Sequence, residues 1–359
     1  MEPRLAKIRR RIKKEGLDGL LITNLKNVRY LSGYTGSNGY LFISRRVHFF
    51  TDFRYAEQIK REVTPKALTH IITEGFSEGL ASLTELKNVT KIGFEADHLT
   101  VSTLQQLKKR LRKVGKFKWV PTKGWVQELR NIKDPEEVAL IAKAARITGK
   151  TLAEVLKLVK PGVSERDLAA EIAHRFQRYT GLPPAFASIV ASGPNSAMPH
   201  ARPTARRLRK GDLVIFDIGA QWKGYSADMT RTVVIGKASA KQKNIYSIVL
   251  RAQQRALDGI HAGIDSKVAD ALARDVIKEA GYGSYFGHAL GHGVGLETHD
   301  GLKMAATSKG KIPRGAVVTV EPGIYLPNWG GVRIEDLVYV SKDGLKILSK
   351  SPRARLAEL

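Results

Sequence analysis

The stretch LVIFDIGAQWKGYSADMTRTVVIG, Leu213–Gly236, decides the fold. Its two halves are apolar and rich in Val and Ile, the composition of buried strands. Between them Gln221–Gly224 is polar and ends in glycine, which predicts a hairpin turn. Each half carries an acid. Asp217 interrupts LVIFDIGA, and Asp228 stands just before the returning strand. An ionised carboxylate inside an apolar strand is costly unless a cation faces it.

The pattern recurs near the end of the chain. In AVVTVEPGIYLPNWGGVRIEDLVYV the strands Ala316–Tyr325 and Val332–Val340 carry Glu321 and Glu335. Taken alone, a strand aspartate is an edge residue or the partner of an arginine. Four acids in two hairpins cannot relieve one another, because like charges repel. Divalent cations resolve the conflict. Four carboxylates and one imidazole could hold two such ions, and GHALGHGVGLETH (Gly287–His299) offers His288, His292 and His299. Its glycines let the backbone approach a crowded site.

Helices are expected around the hairpins. Asp134 is an N-cap with Pro135 at the first helical position, and that helix runs to Lys160 before Pro161-Gly162. Ser164 caps the next, which ends near Gly181. Ser239 and Gln242 form a capping box for a helix reaching His261, and Ser266–Ala280 is closed by Gly281. The strand-pair and helix pattern therefore occurs twice, as in an internally duplicated domain. Upstream, helices at Arg4–Glu15, Phe53–Val63 and Leu99–Val114 alternate with strands at Leu20–Thr23, Tyr40–Ile43, Val47–Thr51 and Ile92–Phe94. The pattern breaks at Thr122–Gly124, so two domains are expected, residues 1–125 and 126–359.

Composition narrows the class. Hydrophobic residues at 43% and charged residues at 26% are ordinary for a globular protein. The chain has no cysteine, which excludes disulfides, thiolate metal sites and a cysteine nucleophile. The basic start MEPRLAKIRRRIKK has no apolar stretch behind it, and no run is long enough to span a membrane, so a cytoplasmic location is expected. The formal charge is +26, with clusters at Arg9–Lys14, Lys108–Lys118 and Arg202–Lys210. No interleaved aromatic platform accompanies them. The charge is read as a solvated surface and not as a nucleic-acid interface. A non-enzymatic binding protein with a basic nucleic-acid surface is the remote alternative.

The ordered set Asp217, Asp228, His292, Glu321 and Glu335 resembles the five metal ligands of the pita-bread metallopeptidases. The words DIGA, DMTRT, GHGVG, EPGIY and GVRIED around them match as well, from about residue 130 to the end. NVRYLSGYTGSNG (Asn27–Gly39) and TDFRY (Thr51–Tyr55) resemble the creatinase-like N-terminal domain of aminopeptidase P. Methionine aminopeptidases lack that domain, and creatinases lack the ligands. The resemblance implies a creatinase-like α/β domain followed by an α+β pita-bread catalytic domain, cutting the bond that precedes proline.

Its leading implication is release of the first residue from Xaa-Pro-Yaa peptides, as an aminopeptidase. The alternative is an Xaa-Pro dipeptidase, or prolidase. In the metal site, the resemblance has Asp217 chelate one metal, Asp228 and Glu335 bridge both, and His292 and Glu321 complete the second. Mn²⁺ is expected first, with Co²⁺ or Zn²⁺ as alternatives. Glu321 would shuttle the proton, and His200 would approach the substrate carbonyl. His288 would line the proline side, and His299 would stabilise the tetrahedral intermediate. Arg333 would organise the acids or contact substrate, with Tyr225 and Tyr325 as weaker candidates. Phe186 and Tyr285 are proposed as proline-pocket walls on position alone. A homodimer is the family's usual assembly.

Overall fold

The computed structural model describes residues 2–359, and these divide between Arg130 and Asn131 into two compact units. In the first, helix α1 (Glu2–Lys14) buries Leu5, Ile8 and Ile12, the face its periodicity predicts. Strand β1 (Gly19–Ile22) is buried throughout. Helix α2 (Leu25–Ser32) begins at Asn24, whose side chain accepts the Lys26 and Asn27 amides. Strands β2 (Tyr40–Ile43) and β3 (Val47–Asp52) form the expected hairpin. Then come α3 (Ala56–Glu62), β4 (Ala67–Ile72), α4 (Phe76–Ala81), β5 (Lys91–Glu95), α5 (Val101–Leu111), β6 (Lys118–Thr122) and α6 (Trp125–Arg130). The strands form one sheet in the order β4-β3-β2-β1-β5-β6.

Helix α6 is held by this unit. The Tyr30 hydroxyl donates to the Leu129 carbonyl at 3.2 Å, and Arg130 donates to Asn27 Oδ1 at 2.8 Å. The division therefore falls a few residues beyond 125. The words TGSNG and TDFRY bind each other. Tyr34 and Thr51 both donate to the Asn38 carbonyl, at 3.0 and 2.6 Å, and the Asn38 amide donates to Asp52.

The second unit opens with α7 (Pro135–Val155), whose capping box joins Asp134 and Glu137 reciprocally. A 3₁₀ turn at Leu156–Leu158 ends it short of Lys160. Helix α8 (Glu165–Thr180) is boxed by Ser164 and Asp167 and stops at left-handed Gly181. Strands β7 (Ile189–Ser192), β8 (Leu213–Ile218), β9 (Gln221–Trp222), β10 (Tyr225–Ser226) and β11 (Met229–Val234) follow. β8 and β11 pair antiparallel with Asp217 opposite Thr230, and β9 and β10 close that hairpin. Helices α9 (Ala240–Gly259) and α10 (Ser266–Glu279) lead to the short pair β12 (Gly291–His292) and β13 (Lys303–Met304).

The second long hairpin differs from expectation. Each of its strands is cut in two, giving β14 (Val317–Val320), β15 (Gly323–Leu326), β16 (Gly330–Arg333) and β17 (Asp336–Ser341). β14 pairs with β17 and β15 with β16, in separate sheets. The cuts fall at Glu321-Pro322 and at Ile334-Glu335, level with one another. Pro322 has no N–H to continue the ladder. Strands β18 (Gly344–Ile347) and β19 (Ala357–Glu358) finish the chain, the latter beside β11.

Two cores form. Ile147, Leu152, Ile172 and Phe176 of α7 and α8 pack on Val190, Val214 and Phe216. Ile245, Val249, Ala273 and Ile277 of α9 and α10 pack on Val318, Val320 and Val338. Each large aliphatic or aromatic side chain so buried contributes about 1.5–3 kcal/mol. A helix pair thus backs each acid-bearing hairpin and fixes the acids from behind.

Candidate metal centre

The two hairpins present their acids to one cavity of about 1110 Å³. Asp217 lies within β8, Asp228 just before β11, and Glu321 and Glu335 at the two strand breaks. His292 ends β12. Gly291 and Gly293 flank it where no other residue fits: an added Cβ would stand 2.1 Å from the Thr319 carbonyl oxygen and 2.2 Å from that of Asp300. All five expected ligands line the cavity, together with His200, His288, His299, Arg333 and Phe186.

The spacing suits cations. His292 Nε2 lies 3.3 Å from Glu321 Oε1 and 3.6 Å from Asp228 Oδ2. Donor atoms of Asp228, His292 and Glu335 all lie within 4.8 Å of one another. Asp217 Oδ2 receives Arg333 at 2.7 Å. Asp217 Oδ1, Asp228 Oδ1 and Glu335 Oε1 are buried with no hydrogen-bond partner. Buried acceptors are rarely left so, and Asp228 and Glu335, whose ligand atoms cluster with that of His292, fit a divalent ion.

Electrostatics lead to the same conclusion. Burial pushes the Asp228 carboxyl well above the usual range, and the charges of Glu335, Asp217 and Glu321 add to it. Glu335 is raised by burial and then by Glu321 and Asp217. Burial pushes Glu321 up to about 8, although the Arg333 guanidinium pulls the other way. His292 is brought down to about 3 by burial, with His299 adding to the fall, so its imidazole is neutral and free to act as a ligand. Cations would relieve the mutual repulsion of the acids. A carboxylate-rich set with one imidazole and no sulfur suits Mn²⁺ or Co²⁺.

The remaining residues surround these. Burial opposes the Arg333 charge, but Tyr325, Asp217 and Glu321 outweigh it and hold its pKa above the ordinary value. Arg333 donates to the Tyr325 hydroxyl at 2.7 Å, and that hydroxyl lies 2.9 Å from His288 Nε2. Since Arg333 can only donate, the tyrosine hydroxyl donates its hydrogen bond to His288 Nε2, and His288 Nδ1 faces the Ala289 carbonyl. Burial, then the Arg333 charge, brings His288 down to about 4. The His299 ring stands edge-on to His292 with centroids 4.0 Å apart, and burial lowers its pKa.

Three sequence candidates, Tyr225, Tyr285 and Tyr325, lie outside the cavity lining. The Tyr225 hydroxyl donates to Glu137 Oε1 at 3.0 Å. Four groups escaped the sequence. Thr230 and Thr319 hydrogen-bond Glu335 and Glu321. Arg202 and Lys303 line the cavity, and their side chains make no hydrogen bond or ion pair among the described residues. A threonine in a strand reads as an ordinary β-former, and a surface cation as solvated charge, so only placement singles them out.

The metallopeptidase family M24 model matches residues 139–342, and the creatinase/prolidase N-terminal domain model matches residues 4–132. An Xaa-Pro dipeptidase from Bacillus anthracis superposes with a TM-score of 0.94 at 39% identity, covering 100% of this chain and 99% of that one. The Xaa-Pro dipeptidase of Pyrococcus horikoshii is 36% identical over 98% of both chains. An X-Pro aminopeptidase from Thermotoga maritima superposes with a TM-score of 0.88 at 34% identity, over 95% of this chain and 98% of that one.

Proposed function

The chain belongs to metallopeptidase family M24, and we propose that it hydrolyses Xaa-Pro dipeptides, with two divalent ions held by Asp217, Asp228, His292, Glu321 and Glu335. Its fold is the creatinase-like α/β domain followed by the pita-bread catalytic domain, and it is a metal-dependent peptidase. The words TGSNG and TDFRY lean towards the tripeptide-cutting aminopeptidase. They bind each other through Thr51, Asn38 and Asp52, however, and so reflect the local fold of the first unit. The Xaa-Pro dipeptidases of Bacillus anthracis and Pyrococcus horikoshii match along nearly the whole chain at higher identity than the X-Pro aminopeptidase of Thermotoga maritima, which supports the shorter substrate better.

The observation that carries this reading is the composition of the cavity wall. Acids and histidines stand beside Arg202 and Lys303, two cations without a protein partner. A dipeptide places a carboxylate one residue from the scissile bond, and such cations can receive it. A tripeptide has no charge there.

Two divalent cations at the acids would activate a water and polarise the scissile carbonyl. The protein's own residues supply the rest. Glu321 would take up the proton of the attacking water and release it to the leaving amine. His200 and His299 can each donate a hydrogen bond to the carbonyl oxygen as it gains charge. His288, kept neutral, lines the proline side without adding charge to it. Arg333 anchors Asp217 from outside the ligand set. Mn²⁺ as the metal and a homodimer as the assembly belong to the same proposal. Among the described residues no helix is long and apolar enough to cross a membrane.

Hydrolysis of Xaa-Pro and Xaa-Pro-Yaa at equal concentration, after reconstitution with Mn²⁺, tests the substrate. Preference for the dipeptide supports the proposal. Preference for the tripeptide overturns it in favour of the aminopeptidase reading.

A further inference from the structure

Thr230 follows Asp228 by two residues, and Thr319 precedes Glu321 by two. Both are fully buried. Thr230 Oγ1 lies 2.6 Å from Glu335 Oε2 and 3.1 Å from Arg333 Nε. Thr319 Oγ1 lies 3.0 Å from Glu321 Oε1 and 3.0 Å from the His292 backbone nitrogen. Each hydroxyl thus sits between a ligand carboxylate and an N–H group.

The direction of these hydrogen bonds is forced. Guanidinium and peptide N–H groups only donate, so both hydroxyls must accept from them. A hydroxyl has one proton, and in each case it is left for the carboxylate. Thr230 therefore donates to Glu335 Oε2 and ties down that oxygen as an acceptor, while Glu335 Oε1 stays buried without a partner. The Thr230 carbonyl also accepts the Glu335 amide at 3.1 Å, so both backbone and side chain of Glu335 are held. Thr319 spans His292 and Glu321 in the same way, linking β12 to the break after β14.

We propose that Thr230 and Thr319 are positioning residues that set the orientation of the metal-facing carboxylates, one in each hairpin. The assignment rests on the two-ion reading above. Their effects differ because their clients differ. Thr230 acts on Glu335, which by the family resemblance would serve both ions, and Thr319 acts on His292 and Glu321, which would serve one. Groups that orient ligands in this way typically govern metal affinity by roughly 10–100-fold.

The test is calorimetric titration of Mn²⁺ into the full chain stripped of metal by chelation. Wild type, Thr230→Val, Thr319→Val, the two Thr→Ser variants and Asp217→Ala are compared. Valine keeps the shape and removes the hydroxyl, and serine restores it. Thr230→Val is expected to weaken both binding events roughly 10–100-fold and Thr319→Val only one of the two, with serine near wild type. Thr→Ala variants serve if a valine variant fails to fold, as judged by thermal unfolding of the metal-free protein. Unchanged affinities in the hydroxyl-free variants, beside a wild type that binds two ions and an Asp217→Ala that does not, would overturn the assignment alone. Serine variants as weak as valine would also overturn it, since the hydroxyl would not be the cause. A wild type that binds fewer than two ions would remove the two-ion reading, and the assignment with it.

Discussion

The guanidinium of Arg333 reaches Asp217 Oδ2 at 2.7 Å and leaves Asp217 Oδ1 buried and unpartnered. One oxygen is held by the protein, and the other faces the cavity. Arg333 makes further bonds to Tyr325, Thr230 and the Pro199 carbonyl, which fix its plane.

Arg333→Lys therefore removes more than it keeps, because an ammonium cannot reproduce the planar fork. Metal affinity and kcat/KM are expected to fall roughly 10–100-fold, as for other groups that hold ligands. Calorimetry with Mn²⁺ and steady-state kinetics on the same variant measure both. Wild-type affinity in Arg333→Lys would contradict the anchoring role.

Stability without metal should decline as pH rises. The folded pKa of Glu321, about 8, is raised above its ordinary value. Its contribution is fully present below about pH 4.5 and is lost as pH climbs through about 8. Asp228 and Glu335 are raised in the same direction. His288 and His292, whose pKa values are lowered, act oppositely, and only in the acid range below about 6.5. Thermal unfolding between pH 6.5 and 8.5 should show a falling midpoint in chelator-treated protein. Glu321→Gln should show a shallower fall, and saturating Mn²⁺ should abolish it.

Arg202 and Lys303 are expected to recognise the free carboxylate of the substrate. A hydrogen bond to a charged group contributes about 1.5–3 kcal/mol, so Lys303→Met or Arg202→Met should raise KM for Xaa-Pro roughly 10–100-fold. Xaa-Pro-amide, which lacks the carboxylate, should be cut equally by variant and wild type. An equal loss on both substrates would indicate a structural defect instead.

His299 stands against His292 and is expected to stabilise charge developing on the carbonyl oxygen. His299→Ala should lower kcat by about 10²–10³-fold with little change in KM. A KM effect without a kcat effect would assign it to binding.

Much of this was legible in the sequence because carboxylates in apolar strands are costly. Asp217, Asp228, Glu321 and Glu335 stood out against their Val and Ile neighbours, and the N-caps Asp134 and Ser164 and the capping box at Ser239 marked helix starts by local chemistry. What stayed hidden depends on distant register. Pro322 flagged a weakness in one strand, but nothing local showed that its partner breaks at the same level before Glu335. Thr230 meets Glu335 far along the chain, and Thr319 meets His292 through a backbone amide. Tyr225 looked like a site residue and turned instead to Glu137 on α7. The strand Ala67–Ile72 was missed because three of its six residues are exposed at the sheet edge, which blurs its alternation.

The most direct test of the two-ion account counts bound Mn²⁺ and measures Xaa-Pro hydrolysis on the same sample as metal is added back. Activity absent without metal and complete at two ions per chain, with both lost in Asp217→Ala and Glu335→Ala despite retained folding, is the predicted result. Hydrolysis that survives chelation, or that persists in either variant, would contradict it.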